Sequence, residues 1–267
     1  MHKKLEGLKL KKKKEVVIAI LDTGIDSKHE DLSAIYKSSG IRKYDSDAKG
    51  HGTHCAGIAA AVSNNKKGIA SILPSNSNIK VMSIQVLNQY GFGTQETIID
   101  GIIKAADLKA DVISLSLGGG TSEKKERAYR AAVKYANKKG AIVVVAAGNS
   151  AKNAKDFSPA NVKGVITVAA VDSNLKIATF SNTVEDLDMG IAAPGVDILS
   201  TYPNNEYKQF NGTSMATPFV AGMLGLLKVY FPEITTEEAY KKITSGSAAV
   251  MNSNTPIMNP NHIVNNF

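Results

Sequence analysis

Three short segments place reactive side chains in settings that could use them: Asp22-Thr23-Gly24, His51-Gly52-Thr53-His54-Cys55-Ala56-Gly57 and Gly212-Thr213-Ser214-Met215-Ala216-Thr217-Pro218. They offer a carboxylate, an imidazole and a hydroxyl in the chain order Asp, His, Ser. A serine hydroxyl is a weak nucleophile until an adjacent base takes its proton, and that base needs a third group to orient it. Ser214 follows Gly212 and opens an apolar run that reads as a helix. Its backbone N–H is then one of the free donors of the first turn, at the positive end of the helix dipole. A nucleophile whose own amide can bind an oxyanion suits acyl transfer.

Each segment also has another reading. Asp22 ends an apolar run and could simply cap the next turn. Asp-Thr-Gly also matches aspartic proteases, which need two carboxylates sharing a proton; one copy here would require a homodimer. His51, His54 and Cys55 could hold a metal, yet no second set of ligands stands at zinc-site spacing. The more economical division leaves His51 exposed at a helix start and His54 buried one turn in.

The elements that must position these groups alternate between strand and helix. Val16 to Leu21, Ile79 to Val86, Val112 to Leu117, Ala141 to Ala147 and Val165 to Val171 read as buried strands, with Ile198 to Tyr202 and Tyr207 to Phe210 as shorter ones. Helices are predicted over Gly52 to Ser63, Thr94 to Leu108, Ser122 to Lys139, Met215 to Tyr230 and Thr235 to Ile243. Thr94 and Thr235 are their caps where they lead, and Pro218 is placed in a first turn, where its missing N–H costs nothing. This order predicts an α/β fold, a mainly parallel central sheet with helices on both faces. Asp22, the Gly118-Gly119-Gly120 turn and Asn149 all fall at strand carboxyl ends, the edge where such sheets bind ligands.

A single 267-residue domain is expected, with a basic arm over 1–14, a core over 15–245 and an irregular or divergent segment over 246–267. The formal charge of +8 includes the run Lys11 to Lys14, which reads as a solvated arm. No interleaved aromatics or amphipathic basic helix point to nucleic acid or to a membrane surface. The net positive field favours acidic polypeptides as partners. The lone Cys55 excludes an internal disulfide framework. No secretory signal precedes Val16, so a cytoplasmic location is expected if Met1 is the natural start, and a secreted one if leading segments are missing from this chain.

The three segments together resemble the subtilisin family of serine proteases, over about Val16 to Ile243. Asp, His, Ser is the subtilisin order among convergent triads. The resemblance implies a three-layer subtilisin-like fold and a serine endopeptidase that hydrolyses peptide bonds through an acyl-enzyme on Ser214. It implies that Asp22 orients His51, that His51 is general base and then acid, and that Asn149 joins the Ser214 amide in the oxyanion hole. Ser116, Leu117, Gly118 and Gly119 are similar to one wall of the substrate cleft, and Gly91, Phe92 and Gly93 to the strand opposite, between which an extended polypeptide adds as a strand. A structural Ca²⁺ is implied at Asp31 and Asn65, where Lys66 and Lys67 weaken the field for a cation. No cofactor is implied for catalysis. Ser158-Pro159 aligns near a cis-proline turn of the family.

Two roles fit that activity: general degradation, and processing of acidic leader peptides by a monomer similar to the leader peptidases of lanthipeptide biosynthesis. The alternative outside catalysis is a silent subtilisin-like module that only binds peptides.

Overall fold

The computed structural model describes residues 15–75, 77–251 and 253–265; the basic arm over 1–14 lies outside them. Strands run in chain order as β1 (Val16–Asp22), β2 (Ile79–Gln85), β3 (Val112–Leu115), β4 (Gly119–Gly120), β5 (Ile142–Ala146), β6 (Phe157–Ser158), β7 (Val165–Val171), β8 (Gly190–Pro194), β9 (Ile198–Tyr202) and β10 (Glu206–Phe210). The helices are α1 (His51–Ala60), α2 (Gln95–Asp107), α3 (Glu123–Lys138), α4 (Thr213–Tyr230), α5 (Thr236–Thr244) and α6 (Pro260–Asn265).

Six strands form one parallel sheet in the order β2-β1-β3-β5-β7-β8. All seven residues of β1 are buried, as a strand covered on both faces requires. Successive side chains point to opposite faces of the sheet. Val16, Ile18 and Ile20 therefore enter one core with α1, α4 and α5, and Val17, Ala19 and Leu21 enter the other with α2 and α3. These are the three layers expected. β9 and β10 form a separate antiparallel hairpin, and β4 pairs with β6. The Ser158–Pro159 bond is cis.

The helix termini follow local chemistry. Thr94 and Ser122 accept from Thr97 N–H and Lys125 N–H, and Thr235 forms a reciprocal capping box with Glu238.

Three expectations need correction. α4 begins at Thr213, so Pro218 is its sixth residue and lies beyond the first turn. Edge strand β8 was not expected, because Gly-Ile-Ala-Ala-Pro lacks a β-branched run. The C-terminal segment is ordered against that edge: Ala192 N–H donates to Pro256 O at 2.8 Å and Met258 N–H to Ala192 O at 2.9 Å. Ile257, Met258, Ile263 and Val264 are buried, so the core continues past residue 245. Extended pairing covers an otherwise open sheet edge.

β2 and β3 flank β1 on opposite sides, so the chain leaves the carboxyl ends of β1 and β3 in diverging directions. That divergence opens a crevice between them, the usual ligand site of such a sheet. Asp22 ends β1, and Ser116 to Gly118 follow β3.

Candidate active site

Asp22 is fully buried at the tip of β1, and its main chain is held there by Val86 and Leu87, whose N–H groups donate to its carbonyl. One carboxylate oxygen accepts from Thr23 N–H at 2.7 Å and from His51 Nδ1 at 2.8 Å; the other lies 2.9 Å from the same nitrogen. This holds the imidazole proton on Nδ1 and leaves Nε2 as the basic atom. With both oxygens so engaged, nothing supports the reading of Asp22 as half of a dimeric aspartic site.

His51 is the first residue of α1, which must run close past the end of β1. Gly52 allows that approach: a Cβ there would lie 2.2 Å from Gly24 O and 3.0 Å from Asp22 Cβ. The N-terminus of α1 has no cap from its own sequence. Thr23 Oγ1 accepts from Gly52 N–H, and Asp47 accepts from the N–H groups of Gly50 and Thr53. Thr23 also donates its hydroxyl to Asp47 at 2.8 Å, so one buried polar network fixes strand end and helix start together. Asp47 and the second role of Thr23 were not singled out in the sequence.

Burial opposes protonation of His51. The Asp22 charge and its hydrogen bond outweigh that effect, with Asp47 also raising the pKa and Lys49 lowering it, and the pKa is raised above its ordinary value. His54 behaves differently. It is buried, stacks on Phe210 at 4.4 Å and bonds Lys208 O through Nε2 at 2.9 Å. Burial and the nearby His51 lower its pKa to about 4, so it stays neutral, as the division of the two histidines expects.

Ser214 is the second residue of α4, half-buried at its N-terminus. Its Oγ donates to Ser116 O at 3.1 Å, so reaching an imidazole requires rotation about χ1. Its carbonyl is orphaned within the helix, because the residue four positions on is Pro218, which has no N–H. Ser116 Oγ donates to that carbonyl at 2.9 Å and Cys55 Sγ at 3.4 Å. The nucleophile's backbone is thereby tied to the end of β3 and to α1.

The Cys55 thiol is held well above its ordinary pKa by burial and by the Asp22 charge, so it is a protonated donor. Single ligand atoms of Asp22, His51 and Cys55 lie within 4.8 Å of one another. With the thiol protonated and the other two bonded together, this cluster does not present a metal-ligating set.

Asn149 follows β5 on the far side of Ser214. Its Oδ1 accepts from Thr213 N–H at 2.9 Å and Thr213 Oγ1 at 3.0 Å, which fixes the direction of its amide. A Cβ placed on Gly212 would lie 3.5 Å from Asn149 Nδ2 and 3.6 Å from Ser214 N. Both nitrogens thus border the space beside Gly212.

The cleft residues separate into two cavities. Gly91, Phe92, Gly93, Ser116, Leu117 and Gly118 line one of about 380 Å³ together with His51. Phe92 spends its own N–H and C=O on the Asn88 turn and Gly91 spends its N–H there, so of these groups the Gly91 carbonyl and the Gly93 backbone are the ones the turn does not use. Leu117, Gly118 and Gly119 also line the second, of about 340 Å³, with Gly148, Asn149, Phe157 and Ser214.

Asp31 and Asn65 do meet, but as donor and acceptor. Asn65 Nδ2 donates to Asp31 Oδ1 at 2.5 Å, and Ile69 N–H and Tyr207 O–H donate to Oδ2, both at 2.9 Å. Asn65 spends its own Oδ1 on Lys67 N–H. Burial, Asp31 and Glu30 all raise the Tyr207 pKa, keeping the phenol a donor. Calcium requires oxygen atoms turned inward. The atoms facing Asp31 are N–H and O–H groups, so the donor set does not fit the cation.

The sequence profile of the subtilase family of peptidases matches residues 13–265. Thermitase of Thermoactinomyces vulgaris is 46% identical over 215 residues, covering 79% of this chain and 74% of that protein. Subtilisin DY of Bacillus licheniformis is 39% identical over 235 residues, covering 86% and 82%. Among solved structures, a protease of Pseudoalteromonas arctica superposes with a TM-score of 0.82 at 31% identity, over 94% of this chain and 89% of that one.

Proposed function

Since this chain belongs to the subtilase family and is a serine endopeptidase acting on polypeptides, we propose how its own residues carry out the hydrolysis. Ser214 Oγ turns from Ser116 O and attacks the scissile carbonyl while His51 Nε2 takes its proton. Asp22 holds the tautomer and stabilises the imidazolium. The oxyanion occupies the space bounded by Asn149 Nδ2 and Ser214 N–H. His51 then protonates the leaving amine, and water attacks the acyl-enzyme by the same route in reverse. Every group in this sequence comes from the chain itself. The observation that carries the reading is the Asp22–His51 pair, 2.8 and 2.9 Å from the two carboxylate oxygens to Nδ1.

The substrate adds as an extended strand between Gly91–Gly93 and Ser116–Gly118. The residue before the scissile bond enters the 340 Å³ cavity beside Asn149, whose lining has no charged side chain. Large apolar residues suit it. Labelling with a fluorophosphonate, in wild type and in Ser214→Ala, tests the nucleophile, and cleavage sites in a denatured protein digest test the pocket. We expect an adduct on Ser214 only, and cuts after Phe, Tyr, Leu or Met. Failure to label the folded protein, or cuts confined to Lys and Arg, would overturn the respective assignment. No helix among the described residues is long and apolar enough to cross a membrane.

A further inference from the structure

The cavity that His51 shares with Gly91 to Gly93 contains one feature the reaction does not use. Lys49 lines it, two residues before the histidine and exposed. Apart from His51, it is the only basic residue, and no Asp or Glu accompanies it, in a lining otherwise made of Thr23, Tyr90, Phe92, Ser116, glycines and aliphatic side chains. The nearby Asp47 carboxylate does not neutralise it, because that group is buried and saturated. One oxygen accepts from Thr23 Oγ1, Lys49 N–H and Gly50 N–H, and the other from Thr53 N–H and Oγ1. Among the described residues, the Lys49 ammonium forms no ion pair.

The backbone that carries this charge is fixed from both sides. Lys49 N–H donates to Asp47 at 3.1 Å, and its carbonyl accepts from Tyr202 O–H at 3.2 Å. The next residue, Gly50, has φ +87°, and a Cβ on it would lie 2.2 Å from the Tyr202 ring. The Lys49 stem reaches toward the opposite wall: Cε lies 3.8 Å from where a Cβ on Gly91 would be. An unpaired ammonium therefore stands over the path of the substrate, beside the base. Its field reaches the imidazole, since it opposes the rise in the His51 pKa.

Side chains of an extended substrate alternate in direction. When one residue occupies the cavity beside Asn149, the residue before it points the other way, toward His51 and Lys49. We propose that Lys49 selects polypeptides with an acidic residue at that preceding position. The selection rests on Ser214 being the nucleophile, and it gives the substrate of that site a charge signature. The Lys49–carboxylate pair is partly solvated, so the preference is set by a moderate energy and is screened by salt.

The test uses quenched peptides that differ only in having Asp, Asn or Lys before the residue at the cleavage site, with the ratio of kcat/KM taken within each enzyme. Wild type should favour Asp over Asn by about fivefold at low salt, the upper size for an exposed pair, and disfavour Lys. Raising the salt to about 0.5 M should shrink the ratio toward one. Lys49→Gln should abolish the preference, and Lys49→Glu should invert it. Fluorophosphonate labelling of the wild type accompanies the kinetics. Labelling with equal rates on Asp and Asn peptides, or a preference that survives in Lys49→Gln or is insensitive to salt, would overturn this selection alone. Absence of labelling would overturn the Ser214 assignment and this selection with it.

Discussion

Lowering the pH from about 7 to about 4.5 should destabilise the fold through His54. The residue is fully buried between α1 and the β9–β10 hairpin, stacked on Phe210, with Nε2–H given to Lys208 O and Nδ1 left without a partner. A second proton would have to enter a buried ring; burial leads the causes that lower its pKa to about 4, His51 adds to it, and the backbone groups of Lys208 and Ile198 oppose it without reversing it. In the unfolded chain the ring titrates near 6.5. A depressed folded value means that the contribution is intact above about 6.5 and is lost as pH falls toward the folded value; by about pH 4.5 the loss reaches about 2–3 kcal/mol. For a chain of this size that corresponds to a fall in Tm of roughly 5–10 °C. His51 acts in the opposite sense: its raised pKa contributes stability at low pH that fades as pH rises through the folded value. Calorimetry at one scan rate, in a Ser214→Ala background to prevent self-digestion, compares His54 with His54→Gln at both pH values. Gln keeps a side-chain N–H donor and does not titrate, and every other acid-sensitive group is common to the two proteins. Gln also loses the ring stacking, so its Tm at neutral pH should be lower; the prediction concerns the change with pH. An equal fall in Tm for both proteins would refute the reasoning.

Asn149→Ala should lower kcat about 10²–10³-fold with little change in KM, a magnitude taken from subtilisin itself and not worked from this geometry. Steady-state kinetics on an apolar-site peptide would check it, and an unchanged kcat would remove Asn149 from the oxyanion site. Tyr207→Phe deletes the phenol donor to Asp31 and Glu30, leaving a buried carboxylate one partner short, at a cost of about 1–3 kcal/mol. Thermal scans should show that loss, while EDTA leaves the wild-type Tm unchanged. A large fall on chelation that Asp31→Asn removes would instead place a cation at Asp31.

The parts of this molecule that were legible in its sequence are those whose cause is local. Val16 to Leu21 forms a strand because its residues are β-branched or aliphatic without a break, and Thr235 caps a helix because Glu238 stands three residues on. Strand β8 was missed because its pairing depends on β7 at one edge and on residues 256–258 at the other, neither of which is nearby in the chain. Asp47 was missed for a related reason. It lies in a polar stretch with Asp45, and only the arrival of Thr23 and Thr53 decides which carboxylate turns inward. The Asp31 loop shows the limit of position alone: Asp31 and Asn65 do come together, but Tyr207, far along the chain, supplies the donor that makes their meeting a hydrogen-bonded closure.

Pro218 shows why the remaining error bears on function. Placed in a first turn, it would have been a neutral helix starter. As the sixth residue of α4 it removes the N–H that would otherwise satisfy the Ser214 carbonyl, and a buried carbonyl without a donor is costly. The fold satisfies it with Ser116 Oγ from the end of β3 and the Cys55 thiol from α1. A continuous helix would have bonded that carbonyl internally and left the nucleophile's backbone without these two ties. The proline instead directs the bond outward, to the same α1 that carries His51 and the same segment that forms the cleft wall. A local flaw in helix chemistry thereby joins the three elements whose relative position the reaction depends on.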